Sequence, residues 1–223
     1  MGKLIVFEGI DGSGKSTQFQ LLCQRLRQEG TDFQNLTFPQ YDEPSSTLIR
    51  MYLSGRFGED PGRVNPYAAS SFFAADRYAS YVSKWGAYYR DGGVIVTDRY
   101  TTSNAIHQAC KLTGEDRREY FRWLYDYEFA RMGLPAPDLV IYLHTPLEVC
   151  IRRMRLREQQ THTSADIHEK NNDYLRTCYA CGLEAAAFYG WQVAESMDGD
   201  RERPVEQVAA QIYAMVRAAL NGA

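Results

Sequence analysis

The chain has 223 residues, a length that suits one domain with a substantial core, and we expect residues 1–223 to form a single domain. A hydrophobic fraction of 44% and a charged fraction of 24% exclude a disordered or a fibrous protein. The formal net charge of −3 argues against nucleic-acid and anionic-membrane partners, which require a basic surface, and favours small-molecule ligands.

Strand and helix patterns alternate along the chain. Apolar, β-branched runs predict strands at residues 3–8, ending near 38, at 94–97, at 139–143 and at 191–195. Helical spacing and start signals predict helices from 15 to 30, over 47–53, from 66 to 92, from 145 and from 204. Asn65 is the expected N-cap of the third helix, and Thr145 with Glu148 matches a capping box. We therefore predict an α/β fold with about five parallel strands and helices on both faces, whose ligands lie at the carboxyl ends of the strands.

The cysteines and the lack of a long apolar segment favour a cytoplasmic protein. Five scattered cysteines suit reduced thiols better than a disulfide framework. Cys178 and Cys181 form a C-x-x-C pair, but no second pair completes a zinc site, and both lie in a helix-forming run. We interpret them as packing residues. No segment approaches the roughly 20 apolar residues of a membrane helix, so we expect no membrane partner.

The loop between the first strand and the first helix matches the P-loop motif G-x-x-x-x-G-K-[ST]. Its glycines let backbone N–H groups turn towards phosphates, and the helix N-terminus adds a positive dipole. We predict that Lys15, on an exposed loop, reaches the β and γ phosphates of ATP and that Ser16 binds Mg²⁺. The predicted ATP-binding residues are Gly9, Ile10, Asp11, Gly12, Ser13, Gly14, Lys15, Ser16 and Thr17.

Two further groups carry charges suited to phosphate chemistry. Asp98 ends a buried strand, where its carboxylate can hold Mg²⁺, and Arg99 can bridge donor and acceptor phosphates. Four arginines at 152, 153, 155 and 157 precede a polar stretch, and they form either a solvated helix face or a short basic lid over residues 153–168. Within the cluster, we favour Arg153 and Arg157 as catalytic, because their i, i+4 spacing puts them on one helix face.

Several motifs together resemble one family of P-loop proteins. No N-K-x-D guanine signature occurs, which argues against a switch GTPase. The chain instead resembles the thymidylate kinase family over essentially its whole length. The matching stretches are FEGIDGSGKSTQ at 7–18, FPQY at 38–41, FAADRY at 73–78, DRY at 98–100 with SN at 103–104, and GLPAPDL at 133–139. In this order and spacing, the stretches together are specific for that family.

The resemblance implies a P-loop kinase fold and roles for individual residues. Phe73 would stack on thymine, although Phe72 beside it offers the same ring, and Arg77 would bond the 4-oxo group that cytosine replaces by an amine. Asp11 would be catalytic, near the sugar 3′-hydroxyl or the acceptor phosphate, and Tyr41 with Arg99 would hold that phosphate. The substrate site would also contain Ser103, Asn104 and His107. Beyond the lid, Asp166 and His168 would close over the deoxyribose, and Glu169 would join Ser16 and Asp98 as a metal ligand.

The chain departs from the family pattern at several positions. Many relatives carry Arg at the place of Gln40 or Tyr41. His107 stands at a position that is commonly aromatic and lies under the sugar, and His168 stands where Tyr is expected. The P-loop interior is neutral at residues 12 and 13, like the subgroup that supplies its catalytic arginine from the lid. These differences leave open the cation on the acceptor phosphate and the strictness of deoxyribose selection.

The resulting hypothesis is an ATP-dependent dTMP kinase. The resemblance implies transfer of the γ-phosphoryl group of ATP to dTMP, Mg²⁺ as cofactor, small-molecule nucleotides as partners and a homodimer. One alternative is a kinase for another nucleoside monophosphate or for a deoxynucleoside, and another is an ATP-binding module without turnover.

Overall fold

In the computed structural model, residues 1–161 and 172–222 are described. The five main strands are β1 (Lys3–Glu8), β2 (Phe33–Thr37), β3 (Val94–Asp98), β4 (Leu139–His144) and β5 (Gln192–Glu195). They form one parallel sheet in the order β2-β3-β1-β4-β5. This arrangement confirms the predicted α/β fold, and each strand lies within a residue or two of its predicted place.

Helices surround the sheet and connect its strands. They are α1 (Lys15–Gln28), α2 (Thr47–Leu53), α3 (Pro66–Ser80), α4 (Gly86–Arg90), α5 (Thr102–His107), α6 (Gly114–Tyr125), α7 (Leu147–Thr161), α8 (Asn172–Tyr189) and α9 (Val205–Asn221). Single wide turns continue α3 over Tyr81–Trp85 and α6 over Asp126–Arg131, and short 3-10 turns cover Pro44–Ser46, Pro61–Arg63 and Ala109–Lys111. A small hairpin, β6 (Met197–Asp198) and β7 (Arg201–Glu202), precedes α9. The sequence patterns did not predict α5, α6 or this hairpin.

The core lies on both faces of the sheet, because successive side chains of a strand point to opposite sides. On one face, Ile5 and Phe7 of β1 pack with side chains of α1 and α9. On the other face, Leu4 and Val6 pack against Trp85. All of these strand residues are fully buried. Both faces of the central strand are therefore covered, and the predicted functional residues within the described ranges gather near the carboxyl end of the sheet.

The predicted helix starts are present and two of them shape the site. The Asn65 side chain accepts a hydrogen bond from the Tyr67 backbone N–H (2.8 Å), which confirms it as the N-cap of α3. Helix α7 begins at Leu147, as expected near Thr145. The Thr145 hydroxyl donates to the Ser13 carbonyl oxygen (2.9 Å) and so ties the end of β4 to the P-loop.

The predicted lid coincides in part with α7. Residues 153–161 belong to that helix, and residues 162–168 lie outside the described residues. Within the described ranges, no helix is long and apolar enough to cross a membrane.

Candidate active site

The P-loop turns sharply between β1 and α1. Gly12 and Gly14 have φ angles of 79° and 93°, in the left-handed region that favours glycine. A Cβ at Gly12 would lie 2.4 Å from the carbonyl oxygen of Cys150 in α7. No side chain fits at position 12 unless α7 moves. The neutral interior of the loop is therefore a packing requirement, because α7 lies directly against the loop backbone.

Lys15 and Asp98 form a buried ion pair at the start of α1. Lys15 Nζ lies 2.7 Å from Asp98 Oδ1, and Lys15 is only 6% exposed. The expectation that Lys15 lies on an exposed loop is therefore wrong: the P-loop folds over it. Burial, together with the charge of Arg99, lowers the pKa of Lys15, and the neighbouring Asp98 opposes this shift. Ser16 Oγ lies 3.4 Å from the other carboxylate oxygen of Asp98.

Arg99 connects the P-loop to α5. Its guanidinium contacts Asp11 Oδ1 (2.5 Å), Ser103 Oγ (3.3 Å) and His107 Nε2 (3.1 Å). Burial works against the charged form, but the carboxylates of Asp11 and Glu8 outweigh it, so the pKa of Arg99 is raised and the side chain is charged at every working pH. Its backbone has φ 70°, which is uncommon for a residue with a side chain. Such a backbone costs about 1–3 kcal/mol and tends to occur at functional sites.

A cavity of about 280 Å³ opens beside the P-loop. It is lined by every predicted substrate-binding residue within the described ranges: Asp11, Tyr41, Phe73, Arg77, Arg99, Ser103, Asn104 and His107. Lys15, Ser16 and Asp98 line the same cavity. A second cavity of about 290 Å³ lies near Asp138 and Trp191 and contains none of these residues. Asp166, His168 and Glu169 lie outside the described residues.

Arg77 reaches the cavity from a buried ion pair with Glu128. Arg77 Nε and Nη2 contact the two Glu128 oxygens at 2.7 Å and 2.5 Å, and Nη1 donates to the Tyr100 carbonyl oxygen (3.3 Å). Both side chains of the pair are at most 2% exposed. Burial disfavours the charge on Arg77, but Glu128 outweighs it and raises the pKa. Each terminal nitrogen of Arg77 carries a second N–H, which can donate a hydrogen bond to a ligand in the cavity.

The two adjacent phenylalanines of α3 have different neighbours. Phe73 lines the cavity and packs edge-on against Tyr52, with ring centroids 6.3 Å apart. Phe72 packs against Phe57, with centroids 5.9 Å apart. The ring beside the cavity is therefore that of Phe73.

Gln108 and His107 line the same cavity as Phe73. Gln108 is fully buried and lines the cavity, and neither its amide oxygen nor its amide nitrogen has a hydrogen-bond partner. An unpaired buried amide is costly, and a ligand or a water in the cavity could bond it. Burial, and then the charge of Arg99, lower the pKa of His107 to about 4, so its ring is neutral near pH 7. The ring accepts from Arg99 through Nε2, which leaves the proton on Nδ1.

Buried carboxylates hold the neighbouring loops in place. Glu8, at the end of β1, accepts hydrogen bonds from Thr102 Oγ1 (2.8 Å) and Ser103 Oγ (2.6 Å), and burial raises its pKa. Asp76 accepts from the Gln40 backbone N–H at 2.8 Å and so orients the segment that carries Tyr41. These contacts join residues far apart in sequence. Glu8 and Asp76 lie within the family stretches at 7–18 and 73–78, which assigned them no role, and Gln108 and Glu128 lie in none of the matching stretches.

Of the two arginines favoured in the basic cluster, Arg153 contacts the P-loop. Its Nη1 donates to the Ser13 carbonyl oxygen (2.8 Å), and its Nη2 lies 2.7 Å from Glu202 Oε2 on β7. Arg152 also pairs with Glu202. Arg157 is exposed one turn further along α7.

The structure has the features of a P-loop nucleoside monophosphate kinase. These are a parallel sheet with a P-loop at its carboxyl end, a buried Lys–Asp pair and an adjoining polar cavity. Comparison with known proteins narrows this class. The chain matches the family model described as thymidylate kinase over residues 7–212, so it belongs to the thymidylate kinase family.

Individual relatives agree with this assignment. The chain is 33% identical over 190 residues to the thymidylate kinase of Mycobacterium tuberculosis, covering 84% of this chain and 87% of that protein. It is 35% identical over 158 residues to a probable thymidylate kinase of Pyrococcus horikoshii, covering 70% and 71%. The solved structure of thymidylate kinase from Candida albicans superposes with a TM-score of 0.72 at 22% identity, over 99% of this chain and 93% of that chain. That structural similarity supports the fold.

Proposed function

We propose that this chain transfers the γ-phosphoryl group of ATP to dTMP, giving dTDP and ADP. The observation that carries the proposal is the junction between the P-loop and the polar cavity. Arg99 contacts Asp11 of the P-loop on one side and His107 of the cavity on the other. A phosphate in the P-loop and a phosphate of a nucleotide in the cavity would therefore face the same guanidinium.

The donor phosphates bind the backbone of residues 9–17 and the ammonium group of Lys15. Within the described residues, the ammonium group of Lys15 pairs with the Asp98 carboxylate. When the donor binds, this ammonium group turns in part from Asp98 to the β and γ phosphates. Ser16 and Asp98 suit Mg²⁺, because a hydroxyl and a carboxylate oxygen lie 3.4 Å apart, and Mg²⁺ takes few protein oxygens besides phosphate and water. When bound, the ion neutralises charge on the β and γ oxygens. Glu169 remains a predicted ligand.

The acceptor base lies between Phe73 and the wall formed by Asn104, His107 and Gln108. Thymine presents oxo groups as acceptors and one imide N–H as donor. Arg77 offers only donors, which suit the 4-oxo group, and the Gln108 amide offers both a donor and an acceptor. Cytosine would direct an amine at Arg77, and two facing donors repel. The pocket therefore favours an oxo-pyrimidine.

The acceptor phosphate is held by Tyr41 and Arg99, with Asp11 at the sugar 3′-hydroxyl or the phosphate edge. The attacking oxygen of a nucleoside monophosphate is already anionic, so the transfer needs no general base. Orientation by Arg99 and neutralisation by Lys15 and the lid arginines then carry most of the rate enhancement. Among these arginines, Arg153 is the first candidate for the catalytic role, because its guanidinium already contacts the P-loop. Arg157 is the second candidate.

We further propose a single kinase domain that forms a homodimer. Tyr67, Tyr78 and Val82 lie on one side of the long α3 segment and are 36%, 43% and 64% exposed. Three large apolar side chains on one helix face suit burial against a second copy.

The test is a panel of acceptors with ATP and Mg²⁺. We expect kcat/KM for dTMP to exceed that for dCMP by about 100-fold or more, since a buried polar mismatch costs several kcal/mol. Thymidine, which lacks the phosphate, should not react. Preference for a purine monophosphate or for a nucleoside would establish the alternative kinase, and ATP binding without product for every acceptor would establish the non-catalytic module.

A further inference from the structure

Two buried cysteines approach each other directly beneath the proposed acceptor site. Cys110 lies in the turn Ala109–Lys111 after α5, and Cys178 lies on α8. Their sulfur atoms are 3.5 Å apart although the residues are 68 positions apart in sequence. Cys110 is 5% exposed and Cys178 is fully buried. The contact is tertiary, so it does not depend on the C-x-x-C spacing within α8.

The surroundings distinguish the two thiols. The hydrogen bond from the Cys178 thiol lowers the pKa of Cys110 against the effect of burial, and the charge of Lys111 adds to this lowering. Burial raises the pKa of Cys178 well above its ordinary value. The thiolate is the reactive form of cysteine, and Cys110, at 5% exposed, is also the more accessible of the two thiols. Cys110 is therefore placed to react first and Cys178 second.

The other cysteine of the C-x-x-C pair has a different partner. Cys181 Sγ contacts the Ala105 carbonyl oxygen at 3.3 Å. Within residues 1–161 and 172–222, no group of three or more His, Cys, Asp or Glu side chains is arranged to hold a metal ion. The observation that suits Cys110 and Cys178 to thiol oxidation is the 3.5 Å distance between their sulfur atoms.

We propose that Cys110 and Cys178 are an oxidative modification site, at which a hydroperoxide such as H₂O₂ forms a disulfide that impairs the acceptor pocket. The Cys110 thiolate attacks one peroxide oxygen, the O–O bond breaks, and the other oxygen leaves as water after protonation. The resulting sulfenic acid of Cys110 is attacked by the Cys178 sulfur, which forms the S–S bond and releases a second water. Two thiols lose two electrons and one peroxide gains them.

His107 connects the pair to the acceptor pocket. Its Nδ1 lies 3.6 Å from Cys178 Sγ, and its carbonyl oxygen accepts from Cys110 Sγ at 3.4 Å. A disulfide requires the sulfur atoms to close to about 2.05 Å, so the turn and α8 must move together. Both sulfur contacts of His107 then change. Since its ring also contacts Arg99 and lines the cavity, the expected result is weaker binding of the acceptor.

The chemical test uses the full-length chain and does not depend on the proposed function. After treatment with H₂O₂, denaturation and alkylation, two of the five thiols should be lost, a peptide map should link Cys110 to Cys178, and dithiothreitol should restore both thiols. Retention of all five thiols, or a link between Cys178 and Cys181, would overturn the proposal. Because this measurement is made on the unmodified sequence, it stands even if a variant fails to fold.

The kinetic test asks whether the modification reaches the acceptor site. Peroxide should raise the KM for dTMP about tenfold and leave the KM for ATP within about twofold. Cys110→Ser and Cys178→Ser should be insensitive, and Cys181→Ser, on the same helix, should respond like the original chain. If peroxide raises the KM for dTMP as much in Cys110→Ser as in the original chain, the effect does not come from this pair. If the KM is unchanged after complete disulfide formation, the disulfide does not affect the pocket. If the chain phosphorylates no acceptor at all, the thiol map still decides the modification while the proposed function fails.

Discussion

The buried pair of Arg77 and Glu128 allows recognition and folding to be separated by mutation. Arg77→Ala removes the donors assigned to the thymine 4-oxo group, and it also leaves the Glu128 carboxylate buried without its cation. Breaking a buried pair in this way costs about 3–5 kcal/mol. For a chain of this size, such a loss lowers Tm by roughly 10 °C. The Thr101 hydroxyl, which donates to Glu128 at 2.6 Å, is the one other side-chain hydrogen-bond donor to that carboxylate within the described ranges.

The effect on recognition has a separate magnitude. A hydrogen bond from a charged donor contributes about 1.5–3 kcal/mol, so Arg77→Ala should lower kcat/KM for dTMP by roughly 10- to 100-fold. The KM for ATP should change little, because Arg77 lies on the acceptor side of the cavity. The preference for dTMP over dCMP should fall by a similar factor, since the repulsion between Arg77 and an amine is also lost.

A double variant distinguishes the two effects. Arg77→Met with Glu128→Leu removes both charges and fills the space with apolar atoms, which is often neutral or stabilising in other proteins. We expect it to recover most of the lost Tm and none of the lost dTMP selectivity. Urea unfolding and steady-state kinetics on the two variants give the necessary values. If Arg77→Ala unfolds like the original chain, the stability assigned to the Arg77–Glu128 pair is refuted. If Arg77→Ala keeps its selectivity for dTMP over dCMP, or if the double variant regains it, the assignment of Arg77 to the base is refuted.

Four further predictions test other parts of the site. Lys15→Ala should abolish turnover through loss of the phosphate-directed charge and should also lower Tm, because Asp98 loses its buried partner; near-normal kcat would remove the P-loop from the mechanism. Arg153→Ala should lower kcat by about 100-fold with little change in the KM for dTMP, measured by steady-state kinetics. The free energy of unfolding should fall by up to about 3 kcal/mol as pH drops from about 6.5 towards 4, since the unfolded chain protonates His107 first; His107→Gln should lose this contribution in urea titrations at several pH values. Val82→Glu should convert the dimer to monomers in light-scattering measurements, and an unchanged mass would place the interface elsewhere.

The elements that sequence predicts well are those with local signals. The strands β1, β3 and β4 contain continuous apolar runs, and the P-loop carries its spacing within eight residues, so both are readable without the fold. The proposed substrate cavity is indicated by the family motifs, which include Phe73, Arg77 and Arg99. In the structure these residues line one cavity. Arg99 lies beside the P-loop because β3 and β1 are neighbours, with Phe7 beside Asp98.

The remaining features depend on contacts between distant parts of the chain. Glu128 lies 51 positions from Arg77, in a wide turn that carries no motif. Gln108 follows a short helix without clear periodicity. The approach of Cys110 to Cys178 depends on how α8 packs against the turn after α5. Exposure of Lys15 was predicted wrongly for the same reason, since only the folded chain brings Asp98 and the covering loop to it.

The neutral P-loop also constrains how the lid acts. A cation cannot be built into the loop at position 12, because the backbone of Cys150 occupies the space where a side chain would begin. The same closeness brings α7 within reach, and Arg153 contacts the Ser13 carbonyl oxygen and Glu202. Transfer of a phosphoryl group places charge on equatorial oxygens, whereas Arg153 is paired with the Glu202 carboxylate and the Ser13 carbonyl oxygen. Arg153 must therefore leave Glu202 to act on that charge. Because the Arg153–Glu202 pair is partly exposed, with 33% and 40% of the two side chains accessible, exchanging Glu202 for nucleotide phosphates would cost little free energy.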